Sequence, residues 1–243
     1  SEVVTTADRL ARVREVDPFE LPHQTYAHIL VDEAQDITPM QWRMLRRRGA
    51  SASWTIVGDP AQSSWPDPRE TDRALTELIG SAPVRRFRMS TNYRSPAEVF
   101  DLAAKVVVHA FPSADLPTAV RSTGVQPELR TTDDLTTGVR DGVADLLAAV
   151  DGTVGVVAPP SVLADVLRAL DAEGAPRDER VLVVTALQAK GLEYDGVLVV
   201  DPDAIVAESA GGLRSLYVAL TRPTQRLMTL DLGADPAWRK SLS

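Results

Sequence analysis

The sequence predicts an α/β fold in which parallel strands are covered by helices, and three patterns predict it. Short runs of Val, Ile and Leu recur along the chain, stretches of helical periodicity separate them, and helix-starting residues stand between the two. The strand candidates are Tyr26–Val31, Trp54–Val57, Arg85–Met89, Thr153–Ala158, Val181–Thr185, Val197–Val200 and Arg226–Leu230. Most are continuous apolar runs rather than alternating ones, which calls for cover on both faces and so for a parallel sheet.

The helices follow from their start signals. Thr38-Pro39-Met40-Gln41 places a capping Thr, a Pro at the first helical position and a Gln three residues on, and Ser95-Pro96-Ala97-Glu98 offers the same arrangement. Further helices are expected over residues 70–80, 97–109, 137–150, 161–173 and 213–221. Between Phe111 and Asp134 the chain is rich in Pro, Thr, Ser and Asp with little periodicity, which predicts a surface crossing.

Composition narrows the function. The 243 residues are enough for one large or two small cores. No run of 18 apolar residues exists and the first residues, Ser-Glu-Val-Val-Thr-Thr, lack the regions of a signal peptide, so the expectation is a cytoplasmic protein with no membrane contact. Without cysteine, and with only His23, His28 and His109 as scattered histidines, metal can enter only as carboxylate-held Mg²⁺. A net charge of −8 is not the footprint of a protein that lives on nucleic acid, so any such contact is expected to be local or weak.

Five constellations carry candidate chemistry. The run Ile29-Leu30-Val31-Asp32-Glu33-Ala34-Gln35-Asp36 ends a buried strand in two carboxylates, one for a metal and one for a water, the needs of phosphoryl transfer. Val57-Gly58-Asp59-Pro60-Ala61-Gln62 is a second strand-to-turn, where the Gln62 amide can bond both a γ-phosphate and a water. Asn92-Tyr93-Arg94-Ser95 sets Arg94 before a helix, as a bidentate phosphate clamp. In Thr185-Ala186-Leu187-Gln188-Ala189-Lys190-Gly191-Leu192-Glu193-Tyr194-Asp195, Gly191 permits close backbone approach and Glu193 can accept from a ribose hydroxyl. Leu216-Tyr217-Val218-Ala219-Leu220-Thr221-Arg222-Pro223 ends a helix at an arginine before a proline, which predicts an outward-facing Arg222, an arginine finger. Each alone has a plainer reading: an acidic turn, an Asp-Pro turn, a surface arginine, an amphipathic hairpin.

Taken in order, the five resemble motifs II, III, IV, V and VI of superfamily 1 helicases, UvrD/Rep-like, and they span residues 29 to 222. The resemblance implies RecA-like parallel sheets flanked by helices, a P-loop NTPase-type motor with ATP and Mg²⁺ between two domains. It implies Asp32 and Glu33 for Mg²⁺ and water, Gln62 and Arg94 for the γ-phosphate, Gly191 and Glu193 for the nucleotide, and Arg222 as the finger. It further implies residues 1–90 as the later part of a first RecA-like domain and 91–243 as the second.

Three departures qualify the match. No Gly-x-x-x-x-Gly-Lys-Ser/Thr stretch occurs, so the phosphate cradle is missing; the expectation is a truncated motor, inactive by itself, whose partner is the missing N-terminal part of the same protein. Asp67 stands where UvrD-type enzymes carry a base-stacking aromatic, and Leu187 where they carry a histidine. Stacking is worth roughly 1–3 kcal/mol per base, so binding of nucleic acid is expected to be weak, through Trp65 and Thr185. Only residues 96–180 separate motifs IV and V, with no large insertion, which looks more like the HelD family. That resemblance implies bacterial RNA polymerase as partner; a UvrD-like DNA repair helicase and a non-catalytic binding module are the alternatives.

Overall fold

The computed structural model describes residues 26–63, 68–112, 114–171, 178–208 and 211–242. By internal packing the chain divides into two units. One holds the described residues up to Gly58 together with Arg69–Ser81; the other holds Asp59–Pro68 and Ala82–Ser243. This division gives residues 59–68 and 82–90 to the second unit, where the sequence suggested a cut at residue 90.

In the first unit Thr38 starts helix α1 (Pro39–Arg48) with the expected capping box. The Thr38 side chain accepts from Gln41 N, and the Gln41 side chain accepts from Thr38 N at 2.8 Å. The helix crosses over between strands β1 (His28–Val31) and β2 (Ser53–Ile56), which pair in parallel with Val31 opposite Ile56. Helix α2 (Pro68–Ile79) contributes Ala74 to a small core around Val31, Ala34 and the fully buried Trp42. Gly49, just past α1, is required by packing, because a Cβ there would lie 2.4 Å from the Trp54 ring.

The second unit is built on a five-stranded, all-parallel sheet. Its strands are β5 (Glu128–Thr131), β6 (Val154–Val157), β7 (Val181–Val184), β8 (Tyr194–Val200) and β9 (Pro223–Asp231), in the order β5-β9-β8-β6-β7. The continuous apolar runs read as doubly covered strands; β6 and β8 are, while the edge strand β7 leaves Leu182 exposed and β1 and β2 are partly exposed. Along β8, Val197 and Val199 pack into one cluster while Leu198 and Val200 pack into another, all fully buried. Helices α3 (Ala97–Ala110) and α7 (Gly212–Leu220) cover the first face; α4 (Leu135–Ala149) and α5 (Pro160–Asp171) cover the second. The short α6 (Pro202–Ala207), opened by the Asp201 side chain, and a final turn Ala237–Leu242 complete the unit. The fold is therefore the expected class, a parallel α/β sheet flanked by helices.

Three local expectations need correction. Residues 85–89 form no strand: the whole stretch 81–90 is exposed, Phe87 at 89%, and pairing begins only at Ser90, whose carbonyl accepts from Thr118 N. Its three arginines stay solvated, and apolar residues between them do not alternate into a buried face. The strand lies just beyond, as β3 (Thr91–Asn92) paired with β4 (Thr118–Ala119). Second, the expected crossing at 111–134 contains β4 and β5, polar and half-exposed strands that give no apolar signal. Third, Ser95 does not cap α3: Pro96 is the cap residue and makes no side-chain cap bond, while buried Ser95 donates to Thr221 O at 3.4 Å and Glu98 turns away to a loop.

Candidate functional site

In the first unit β1 ends at Val31, and the backbone turns sharply so that Asp32 and Glu33 both stand exposed at the strand end. Glu33 adopts a left-handed conformation, φ 49°, which costs a non-glycine residue about 1–2 kcal/mol. Its neighbours hold it there. Asp32 Oδ1 accepts from Glu33 N at 2.8 Å, Gln35 Nε2 donates to Glu33 Oε2 at 2.6 Å, and Ala34 N donates to Val57 O at 2.9 Å. Gly58 admits Gln35, since a Cβ at 58 would meet Gln35 Oε1 at 2.7 Å. The buried Gln35 therefore orients the second carboxylate, a role its place two residues after Glu33 did not announce.

Among the described residues no group of three or more His, Cys, Asp or Glu could hold a metal ion. Two exposed carboxylates fit Mg²⁺ of the kind held by one or two carboxylates and completed by phosphates, rather than a protein cage.

In the second unit Asp59 caps the short turn Pro60–Gln62, its Oδ1 accepting from Ala61 N at 2.9 Å. Its Oδ2 accepts from Gln62 Nε2 at 2.8 Å, and Gln62 Oε1 accepts from Arg222 Nη2 at 3.0 Å. Both ends of the Gln62 amide are thus engaged, which fixes its orientation. Lys190 Nζ adds a bond to the Gln62 backbone carbonyl.

Arg222 is not outward-facing as the helix-end reading expected; it is 1% exposed. The chain passes from α7 through Thr221 straight into β9 at Pro223, and the guanidinium folds back under this corner. Nε donates to Val218 O at 2.9 Å and Nη1 to Leu192 O at 3.4 Å. A buried cation requires such partners. Around it burial raises the phenol pKa of Tyr217 and of Tyr194, with Asp59 adding to the effect at Tyr217 and Arg222 opposing it at both. Both rings stay neutral beside Arg222.

Arg94 follows β3 on a turn closed by Asn92 Oδ1, which accepts from Arg94 N at 2.9 Å and Ser95 N at 3.3 Å. Its Nη2 lies 2.6 Å from Glu193 Oε1, with both side chains nearly half exposed. Gly191 has φ 75°, a left-handed conformation that favours glycine, and nothing lies within 4 Å of where a Cβ would stand. Gln62, Arg222, Leu192, Glu193 and Arg94 therefore form one connected set in this unit. Thr185 serves as a turn cap instead of standing free: its Oγ1 accepts from Gln188 N at 3.2 Å, and Gln188 Oε1 accepts from Thr185 N. Trp65 lies outside the described residues.

An open cleft of about 510 Å³ borders this set, lined by Tyr93, Arg94, Arg121, Thr123, Thr224, Gln225 and Arg226. Arg121, which no sequence pattern singled out, donates through Nη2 to both Arg94 O and Thr224 O.

Comparison with known proteins gives the following likenesses. The UvrD/REP helicase N-terminal domain family matches residues 11–65, a segment that contains Asp32, Glu33 and Gln62. No curated protein matches the chain. Among solved structures, the C-terminal domain of a possible DNA helicase from Lactobacillus plantarum WCFS1 is 21% identical, covering 63% of this chain and 94% of that one with a TM-score of 0.47. The PRRSV helicase is 15% identical over 84% of this chain, with a TM-score of 0.45. Arterivirus nonstructural protein 10, a helicase, is 16% identical over 89%, with a TM-score of 0.47. The chain spans 34% and 41% of the lengths of those two viral proteins. No helix among the described residues is long and apolar enough to cross a membrane.

Proposed function

We propose that this chain is the C-terminal motor portion of a superfamily 1 helicase or translocase that hydrolyses ATP. The observation that carries this reading is the Gln62 amide held between Asp59 and Arg222 and joined, through Leu192-Glu193, to Arg94. Two guanidinium groups and an oriented amide are donors and acceptors suited to a γ-phosphate and the water that attacks it.

In this reading the water oxygen bonds to the γ-phosphorus as the bond to the bridging oxygen breaks, and ADP leaves with that electron pair. Within the first unit Glu33, oriented by Gln35, is a carboxylate suited to take a water's proton. Arg222 and Arg94 donate to the equatorial oxygens, where charge gathers, exchanging Gln62 and Glu193 for phosphate as acceptors. Asp32 is the residue that would hold Mg²⁺, which when bound would neutralise phosphate charge. Gly191 keeps the backbone low beside Glu193, whose carboxylate, once released, accepts from the ribose.

For the target we favour bacterial RNA polymerase, as in the HelD family, on the short stretch between Ser95 and Val181 and on the acidic charge. The family match at residues 11–65 favours the second reading, a UvrD-like DNA helicase. With the chain joined to a P-loop-bearing segment, the ATPase rate is expected to rise with polymerase and little with single-stranded DNA. Strong, salt-sensitive stimulation by DNA alone would select the UvrD-like reading. Arg222→Ala is expected to lower the rate about 10³-fold, and Glu33→Gln to abolish turnover while sparing nucleotide binding. An Arg222→Ala protein of normal rate would end the motor reading altogether.

A further inference from the structure

We infer that Arg121 is a positioning residue that fixes the distance between the two phosphate-binding arginines, Arg94 and Arg222; this rests on the function proposed above. The register explains how it comes to lie there. Strands β3 and β4 are parallel with Asn92 opposite Ala119, so two residues farther on Arg94 and Arg121 emerge side by side. The backbone of Arg121 is anchored, because its carbonyl accepts from Ala97 N at 2.7 Å at the start of α3, and Val120 N donates to Asn92 O at 3.2 Å.

From that base the Arg121 side chain ties two loops together with one nitrogen. Nη2 donates to the carbonyl of Arg94 and to the carbonyl of Thr224, two residues past Arg222. A second strut runs in parallel, from Ser95 Oγ to Thr221 O at 3.4 Å. The turn that presents Arg94 and the corner that presents Arg222 are thus braced on both sides. A guanidinium suits this task, since the two hydrogens of one terminal nitrogen can reach two acceptors at once. Arg121 lines the cleft and commits Nη2 to the two main-chain carbonyls, so its bonds act on the loops that carry Arg94 and Arg222.

The test uses the full chain, nitrogen-15 labelled, titrated with inorganic tripolyphosphate while the Nε–H resonances of Arg94 and Arg222 are followed. In the unsubstituted chain both resonances are expected to move along one binding curve. In Arg121→Gln, with a dispersed spectrum retained, binding is expected to weaken roughly tenfold or more, and the two resonances to follow separate curves, as misplaced groups cease to act as one site. Should Arg121→Gln lose its dispersed spectrum, Arg121→Lys carries the test. Its ammonium keeps the charge on a different stem, and the two curves are expected to separate to a lesser degree. A common curve in whichever folded variant is titrated overturns the inference, whether affinity is unchanged or merely lower, since lost charge alone weakens both arginines equally. No response of either arginine in the unsubstituted chain overturns the phosphate-site reading, and this inference with it.

Discussion

The two parallel pairings at the hearts of the two units differ in what covers them. Strands β6 and β8 are buried along nearly their whole length and contribute to clusters on both faces. Strands β1 and β2 alternate exposed residues with half-buried ones and the buried Val31, Leu30 stands 69% exposed, and among the described residues β1 pairs with β2 alone. The same backbone geometry thus rests on two large apolar clusters in one unit and, among the described residues, on one small cluster around Val31, Ala34, Trp42 and Ala74 in the other. Burial of a Val or Leu side chain is worth about 1.5–3 kcal/mol, so the second unit holds most of the stability and the first holds the carboxylates.

Hydrogen exchange is where this contrast should be largest. Amides of β6 and β8 are expected to exchange at least about a thousandfold more slowly than those of β1 and β2, because the former open only with global unfolding. Uniform protection across residues 28–31, 53–56 and 154–200 would break the comparison. The next effect is in packing. Leu198→Ala should cost about 3 kcal/mol, as a buried large-to-small change, whereas Leu30→Ala should stay within about 0.5 kcal/mol. Urea midpoints of the two variants decide it; equal losses would mean that Leu30 is covered in solution.

Much of this was legible in the sequence, and what was not follows a physical pattern. The runs that became β6 and β8 declared themselves because burial on both faces demands unbroken apolar residues, and the capping box at Thr38 formed because its partners are all local. Ser95-Pro96-Ala97-Glu98 has the same letters, but Ser95 is drawn to Thr221 and Glu98 to residues 122–124, long-range partners invisible to a local pattern. The rule that a proline ends a helix located Arg222 correctly at the α7–β9 corner and said nothing about which way its side chain turns. Glu33 in the left-handed region carries no glycine or asparagine to signal it; the strain is held by Gln35 and by pairing with Val57. Arg121 lies in the stretch with least periodicity, so its two carbonyl contacts appear only when β3 and β4 set its register.

The two arginines of the candidate site sharpen the contrast between buried and exposed polar groups within one unit. Removing the Arg222 side chain leaves Gln62 Oε1 without its donor and takes one of three donors from Val218 O, which keeps Thr221, so Arg222→Ala should cost about 2 kcal/mol of stability. Arg94 and Glu193 are nearly half exposed, and an exposed ion pair is worth about 1 kcal/mol at most. Arg94→Ala is therefore expected to leave the urea midpoint almost unmoved while weakening phosphate binding. Equal destabilisation by both would show that Arg94 is also a structural residue.

Glu98 gives the smallest effect and one with a clear sign. Its carboxylate accepts from Ser122 Oγ, Thr123 N and Gly124 N, and these bonds, Ser122 foremost, hold its pKa near 2 against an ordinary 4.5. A depressed carboxylate pKa means that the charged form is favoured by folding. The contribution is therefore complete above pH 4.5 and fades as pH falls towards 2. Glu98→Gln should differ from the parent chain in urea midpoint at pH 6, and the gap should narrow steadily below pH 4.5, because protonation makes the parent resemble the variant. Since the group is solvent-exposed, screening keeps the difference small and added salt changes it little, the bonds being short-range. A gap that stays constant from pH 6 to pH 3 would mean that Glu98 fastens residues 122–124 to α3 by shape and neutral hydrogen bonding, and that the charge plays no part.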